Sequence, residues 1–584
     1  MLIKQHQITS HLAVALLGCF FGFAINTAQL AAENVLLIVA DDLGADSVAA
    51  FSPADSAPTP TLNMLASTGV RFTNCWANPT CTPSRAAMLT GRHGFRTGIG
   101  EVGMPIQLEE GTLADAFSNA NYTTACIGKW HLSDNGNGGA LNPNLMGFDH
   151  YSGSLSGGIG NYYSWDKTVN GTSTRVDNYS TTENVNDAAD WIDTQADNPW
   201  FMWLAFNAPH SPFHLPPSDL HTNSELSGTD EDIAANPRPY YEAMIEAMDT
   251  EIGRLIESMD PEVLANTTII FVGDNGTPGK VDPNVYLGSK GTLWEGGVRV
   301  PCIVWSSKVN GDLNRTHDAL IHLTDVFRTA LDTADIGYDA IPDGAATDSE
   351  SFAAYLSDPQ LESFHNFQFS ERFADPTDAK DGKAIRNHQY KLIRYDSGDE
   401  AFTTVDNELN NLLTNGLNDE QQANYDQLNT QLDGLLNSDF DEISYDSFES
   451  DWGSFTANGA DLSRLARHAS DGRQSANVQN TDSFETASGI DLSGYSQLEI
   501  KFTFRLVGMD ASEGISIEYF DGTNWNNIGE YTTDDHDDST TYNGQVLVDA
   551  ADYDFPTDAK IRFTSLANRN RDDAYIDEIS VRAK

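Results

Sequence analysis

The run Cys81-Thr82-Pro83-Ser84-Arg85-Ala86-Ala87-Met88-Leu89-Thr90-Gly91 sets a thiol just ahead of a helix that opens at Pro83 and stops at Gly91. Proline suits a first helical turn, where its missing N–H has no partner to lose, and glycine suits the position past the end. The free amides of that turn point at Cys81 and favour an anion there, and Arg85, one turn on, can lean back to the same spot. Two readings follow from the residue types. Cys81 is a reactive thiolate, since helix N-termini depress a cysteine pKa, or it is a small buried residue at a loop–helix junction. A second set is all oxygen: Asp41, Asp42, Asp274 and Asn275. Carboxylate and amide oxygens suit a hard cation such as calcium or magnesium, whereas softer metals want His or Cys. An Asp-Asp pair alone is equally an ordinary solvated strand end.

The elements that must position these residues are legible as alternating strands and helices. Glu33 to Ala40 is a continuous apolar run ending in Asp41-Asp42, the mark of a parallel strand buried on both faces. Leu108 to Ala120 has helical spacing, and Tyr122 to Gly128 reads as a strand ending at Lys129-Trp130-His131. Asn184 to Ala196 is helical, and Trp200 to Phe206 is a strand ending at Ala208-Pro209-His210. An amphipathic helix from about Tyr240 to Met259 precedes the strand Thr267 to Gly273, which ends in Asp274-Asn275. This predicts an α/β fold: a mostly parallel sheet with helices on both faces. Four strands that end in polar or charged residues predict a site at their carboxyl ends, where open α/β sheets bind ligands.

Three boundaries follow from composition. Residues 33–365 form the α/β unit; 366–443, with strands at Phe367 to Phe373 and Tyr390 to Tyr395 and then a polar Asn- and Gln-rich helix, form a smaller α+β subdomain. Residues 444–584 alternate in short stretches (Leu498 to Phe504, Ile515 to Tyr519, Lys560 to Phe563) with a hairpin-type Asp521-Gly522, the pattern of an all-β sandwich. Ahead of them, Lys4, the uncharged run Leu12 to Ile25 and small residues around Ala28 to Ala32 read as a signal peptide over 1–32, so the chain is expected to be secreted or periplasmic. No stretch is long and apolar enough for a membrane span. Cys19 leaves with the signal, so that besides Cys81 only Cys75, Cys126 and Cys302 remain, too few for a disulfide scaffold. The net charge of −53 argues against nucleic acid or an anionic membrane as partner and for solubility in a salty, marine-type medium.

Cys-x-Pro-x-Arg at Cys81, Pro83 and Arg85 resembles the signature of the type I sulfatases, a branch of the alkaline phosphatase superfamily. Gly128-Lys129-Trp130-His131-Leu132, Ala208-Pro209-His210, Gly273-Asp274-Asn275-Gly276, Gly288-Ser289-Lys290-Gly291 and Glu295 to Pro301 also match family segments, so the resemblance spans roughly residues 33 to 436. It implies that a formylglycine-generating enzyme oxidises Cys81 to formylglycine, whose hydrate is the nucleophile. It also implies one calcium ion held by Asp41, Asp42, Asp274, Asn275 and residue 81. Lys129 and His131 would hold the hydrate with Arg85 in support, His131 as base, while His210 and Lys290 would bind sulfate and protonate the leaving alcohol; Arg299 takes no catalytic role. A sulfuryl group would pass to one hydroxyl with inversion at sulfur, and collapse to the aldehyde would release sulfate. The expected substrate is a sulfated carbohydrate, with Tyr162, Tyr163, Trp165, His214 and Arg238 in the loops that face it, as sugar-stacking groups or as loop-packing anchors. A phosphatase or phosphonate monoester hydrolase is the same-fold alternative. Relatives with plain phosphatase activity generally carry Ser or Thr in place of Cys81. A carbohydrate-binding protein with a degenerate enzyme domain would lack one of these residues, and none is missing.

Overall fold

The computed structural model describes residues 33–583 except 53–55, 197, 282–284, 308–313, 357–360, 362, 375–377, 437–440, 447–453, 459–462, 466–474, 480–481, 496, 534–535, 537–540, 551–552 and 568–571. The proposed signal segment and Cys19 lie outside the described residues. Strands β1 (Asn34–Ala40), β2 (Val70–Trp76), β3 (Thr123–Lys129), β4 (His150–Ser154), β5 (Trp165–Val169), β6 (Thr172–Val176), β7 (Trp200–Ala205), β8 (Thr267–Gly273), β9 (Cys302–Ser306) and β10 (Arg315–His322) form one sheet in the order β10-β2-β9-β8-β1-β7-β3-β4-β5-β6. The pairs β1–β7, β1–β8, β3–β7, β3–β4 and β2–β10 are parallel, β9 runs antiparallel between β2 and β8, and β5–β6 is an antiparallel hairpin on β4. The α/β expectation therefore holds.

The continuous apolar runs have a direct cause. Along β1, Val35, Leu37 and Val39 join one hydrophobic core and Leu36, Ile38 and Ala40 another, one on each face of the sheet. Successive strand side chains point to opposite faces, so both layers demand apolar residues. The helix Ser180–Asp193 and the long helix Pro237–Ser258 pack on the second face. The helix expected from Leu108 begins only at Leu113, because Thr112 caps it: its hydroxyl accepts the Asp115 N–H at 3.1 Å and the Asp115 carboxylate returns the bond.

A four-stranded antiparallel sheet, β11 (Gln368–Arg372), β12 (Gly382–Arg386), β13 (Tyr390–Tyr395) and β14 (Glu400–Thr404), carries the helix Asp419–Leu436 on one face through Phe369, Leu392, Phe402, Leu428 and Leu432. Its other face, Ala384, Ile393 and Ala401, packs with Trp76, Leu293 and Val298. Further along, a six-stranded and a five-stranded antiparallel sheet share a core of Leu498, Ile500, Phe502, Phe504, Ile515, Ile517, Ile561 and Phe563. Asp521-Gly522 does turn a hairpin, between Gly514–Phe520 and Trp525–Thr532, with Gly522 at φ +86°. Cys75, Cys81, Cys126 and Cys302 are buried free thiols. Among the described residues no helix is long and apolar enough to cross a membrane.

The core of the C-terminal sheets includes no residue before Phe455 among its buried members, and the two cores of the large sheet none beyond Leu356. Calorimetry of the full chain should therefore show two unfolding transitions. A chain ending at residue 443 should keep one of them at an unchanged midpoint; a single transition, lost on truncation, would show one shared cooperative unit.

Candidate active site

The strand ends deliver the chemistry. Asp41 and Asp42 follow β1, Lys129 ends β3 with His131 two residues on, His210 follows β7, and Asp274 and Asn275 follow β8. The helix Cys81–Thr90 starts at the same rim, and its own start lies two residues ahead of the expected Pro83; Gly91 closes it at φ +65°. Asp42 and His131 both take φ +66°, a left-handed conformation uncommon outside glycine, though Asp and His enter it more readily than most residues. Trp130, between Lys129 and His131, donates its indole N–H to Asn142 Oδ1 at 2.7 Å.

The catalytic and metal-ligand candidates, Asp41, Asp42, Cys81, Arg85, Lys129, His131, His210, Asp274, Asn275 and Lys290, are joined here through one another's contacts. Arg85 donates from Nε and Nη2 to Asp274 Oδ2 at 3.0 and 2.8 Å, and from Nη1 to the Lys129 carbonyl at 2.9 Å. Its guanidinium is thus spent on Asp274 and not on Cys81. Lys129 Nζ donates to Asp41 Oδ2 at 2.5 Å, and both side chains are fully buried. Lys290 Nζ and Asn275 Nδ2 both donate to Asp42 Oδ1, at 2.5 and 2.9 Å. His210 Nε2 lies 3.9 Å from Asp42 Oδ2, and its Nδ1 sits 2.7 Å from the Ser211 carbonyl. A carbonyl only accepts, so Nδ1 carries the proton and Nε2 presents its lone pair to the pocket when the ring is neutral.

His131 Nδ1 is 3.3 Å from Cys81 Sγ and 3.3 Å from Thr82 Oγ1, and the Thr82 hydroxyl also accepts the Gly103 N–H at 3.2 Å. Burial, then the Lys129, Arg85 and Lys290 charges, push the His131 imidazole down to about 2, so the ring is neutral. The reading of Cys81 as a depressed thiolate is corrected. The residue is only 1% exposed, and burial raises its thiol above the ordinary value despite the nearby Lys129. At a helix start desolvation outweighs the dipole once no water reaches the sulfur.

The carboxylates fit a hard cation. Asp41 Oδ1 and Asn275 Oδ1 are buried oxygens with no hydrogen-bond partner, and oxygens of Asp41 and Asp274 lie within 4.8 Å of each other and of Cys81 Sγ. Buried oxygens are seldom left unpaired. The Asp274 carboxyl is raised by burial and by the neighbouring Asp41, against the pull of Arg85, so the cluster gains from a further positive charge.

Several supporting contacts carried no sequence signal. Gly157 lies against His131 so closely that a Cβ there would meet Nε2 at 2.2 Å, and one at Gly158 would meet His210 Cε1 at 3.3 Å. The Ser156-Gly157-Gly158 run was visible, but not what it touches. Glu295 accepts from Trp76 Nε1, Arg386 Nη1 and Lys391 Nζ, each at 3.1 Å, binding the four-stranded sheet to the loop after Lys290. Burial would raise the Glu295 carboxyl, but Lys391, Arg386 and Arg299 bring it down to about 2. Of the loop aromatics, Tyr162 and Trp165 are buried anchors: the Tyr162 hydroxyl lies 2.7 Å from both the Asn207 and His210 carbonyls. Tyr163 is exposed, His214 holds the Tyr179 hydroxyl, and Arg238 pairs with Glu242.

A protein-family model described as Sulfatase matches residues 33–336. Arylsulfatase G of Rattus norvegicus is 31% identical over 366 residues, 54% of this chain and 68% of its own. An ulvan-active sulfatase of Formosa agariphila is 27% identical over 433 residues, 71% of this chain and 82% of its own. Among solved structures, i-CgsB in complex with k-i-k-neocarrahexaose aligns with a TM-score of 0.57 at 24% identity, covering 70% of this chain and 92% of the other, a likeness of fold.

Replacing Arg85 by Met leaves Asp274 buried without its two-pronged partner. Removing one member of a buried pair costs about 3–5 kcal/mol. Urea unfolding in the presence of a chelator should show a loss of that size; a loss under about 1 kcal/mol would mean that water or a rearranged Lys129 already serves Asp274.

Proposed function

The chain belongs to the sulfatase family and is a sulfuric ester hydrolase; from that premise we propose that it is an exported, calcium-dependent enzyme that removes sulfate from a sulfated carbohydrate with a formylglycine made from Cys81. The observation that carries this reading is the meeting of Cys81 Sγ, the neutral His131 and the two unpartnered oxygens of Asp41 and Asn275 at one buried rim. The domain bounds 33–365, 366–443 and 444–584 belong to the same proposal.

In this reading the sulfur of Cys81 stands where one hydroxyl of the formylglycine hydrate would be, and that hydrate would supply an attacking oxygen and a second hydroxyl whose deprotonation expels sulfate. Calcium on Asp41, Asp42, Asp274, Asn275 and residue 81 would neutralise a sulfate oxygen and make the hydroxyl more acidic. The chain's own groups do the rest. His131 Nδ1, 3.3 Å from the atom at position 81, is unprotonated because burial and the Lys129, Arg85 and Lys290 charges hold its pKa down; as a base it depends on the negative charge of a bound ester to offset those cations. Thr82 and Gly157 hold its ring from two sides. Lys290 and His210 meet at Asp42, so a sulfate oxygen entering beside them gains a cation in place of that carboxylate, and a donor when His210 Nε2 carries a proton. Burial would lower the Lys290 ammonium pKa, but Asp42 raises it, so Lys290 stays charged as an anion arrives. His210, when protonated at Nε2, reaches the leaving oxygen.

Charge supports an anionic ester. Asp41, Asp42 and Asp274 are matched by Arg85, Lys129 and Lys290, so the rim is formally neutral and a divalent cation turns it positive. The carbohydrate part of the proposal draws on the Formosa agariphila relative, whose name states activity on ulvan.

Three outcomes test the reading. Chelation should abolish turnover of an aryl sulfate and calcium should restore it and raise the melting midpoint, whereas a chelated protein with full turnover would remove the metal from the account. Gly157→Ala should lower kcat at least about tenfold, since each 1.36 kcal/mol of lost transition-state stabilisation is tenfold in rate, with little change in melting midpoint. Unaltered kcat would mean that His131 moves aside without cost. Run alongside, an aryl phosphate should turn over far more slowly than the sulfate.

A further inference from the structure

An acid must hold its ring in one orientation, yet His210 stands on a loop and not in a strand. Strand β7 ends at Ala205, and the chain turns through Asn207 to His210, whose N–H donates to the Asn207 carbonyl at 2.9 Å. The His210 Nδ1–H goes to the Ser211 carbonyl at 2.7 Å. That bond fixes which nitrogen faces the site, so the aim of Nε2 follows the peptide groups that flank Ser211.

Tyr162 holds those peptide groups. Its hydroxyl lies 2.7 Å from the His210 carbonyl and 2.7 Å from the Asn207 carbonyl, so it closes the turn at both ends. Carbonyls only accept, which makes the phenol the donor and shares its one proton between them. Burial, then the charge of Asp41, raise this phenol well above the ordinary tyrosine value, so it remains a donor beside the acidic rim. Tyr162 is itself fixed. It is buried, the Ser180 N–H donates to its carbonyl at 2.8 Å, and the His214 ring lies 4.2 Å from its own, centre to centre. His214 Nδ1 donates to the Pro212 carbonyl at 3.0 Å and Nε2 accepts the Tyr179 hydroxyl at 3.1 Å. The loop that carries His210 is thus gripped at 207, 210 and 212 by one aromatic layer.

We propose that Tyr162, backed by His214, is a positioning residue for His210: its hydroxyl holds the turn that aims Nε2 at the leaving oxygen. In that step the sulfuryl group passes to the nucleophile at position 81. The electron pair of the broken S–O bond stays on the ester oxygen, and Nε2 gives its proton there, so the alcohol leaves neutral. A phenol that departs readily as an anion asks little of the acid, whereas the hydroxyl of a sugar needs the proton. The Tyr162 bond therefore matters most for esters of poor leaving groups. The inference rests on His210 as the acid in the function proposed above.

Values of kcat/KM for the matured, calcium-loaded full-length enzyme cover the departure of the alcohol and so report this step. The substrates are para-nitrophenyl sulfate, whose phenol leaves readily, and para-methoxyphenyl sulfate, whose phenol does not. Tyr162→Phe should lower the para-methoxyphenyl value about tenfold and the para-nitrophenyl value about twofold or less, with a melting midpoint near the parent's. His210→Ala should lower both, the para-methoxyphenyl value at least about tenfold more. Tyr162→Phe added to His210→Ala should cost no more than about twofold further on either ester, because its effect runs through the lost ring. Should Tyr162→Phe not fold, His214→Phe decides: it keeps a ring against Tyr162, drops the bond to the Pro212 carbonyl, and should show the same selectivity. No loss, an equal loss on both esters, or a full loss repeated on top of His210→Ala would make Tyr162 a structural anchor and overturn the inference alone. A His210→Ala enzyme equally impaired on both esters would overturn His210 as the acid, and the inference with it.

Discussion

Burying charge dictates the architecture around the site. Arg85 and Asp274, and Lys129 and Asp41, are two ion pairs with no exposed surface, and Lys290 and Asp42 form a third that is nearly closed. Taking such groups out of water costs several kcal/mol per ion and is tolerated only where every charge meets partners in good geometry. That requirement explains why the groups come from five separate chain segments held rigidly: β1, β3, β8, the cysteine helix and the Lys290 loop. Left-handed Asp42 and His131 are further local costs accepted at this rim. The oxygens that remain unpartnered, on Asp41 and Asn275, are where the balance is incomplete and where a cation would complete it.

The same balance reaches outward. The Lys290 loop is held from behind by Glu295, which Arg386 and Lys391 of the four-stranded sheet neutralise beneath Trp76. The smaller sheet thus acts on the site without supplying a group to it. On the proposed reading the chain's acidic exterior and its metal-loaded rim divide the labour: the exterior keeps the protein soluble in salt, and the rim, made positive by the cation, selects anions at short range, where screening is weak.

How much of this could be read from the sequence depends on how local each signal is. The runs of β1, β7 and β8 were plain because both faces of those strands are buried, and their polar endings marked the rim. Strand β2, Val-Arg-Phe-Thr-Asn-Cys-Trp, and β10, Arg-Thr-His-Asp-Ala-Leu-Ile-His, went unseen because near the sheet edge they bury only part of their residues and carry polar ones between. The cysteine motif marked position 81 at the rim, but its burial, and hence the raised thiol, comes from the packing of distant segments. Gly157 on His131 and Glu295 on Arg386 and Lys391 join residues far apart in the chain, which no spacing rule reveals.

The central claim is that position 81 acts as an oxidised residue and not as a thiol. Preparations expressed with different amounts of a formylglycine-generating enzyme will differ in the fraction of residue 81 converted, which peptide mass spectrometry measures directly. The account requires aryl sulfate turnover per mole of protein to rise in proportion to that fraction, on a line through the origin. Turnover that persists in protein whose Cys81 is entirely thiol would contradict it.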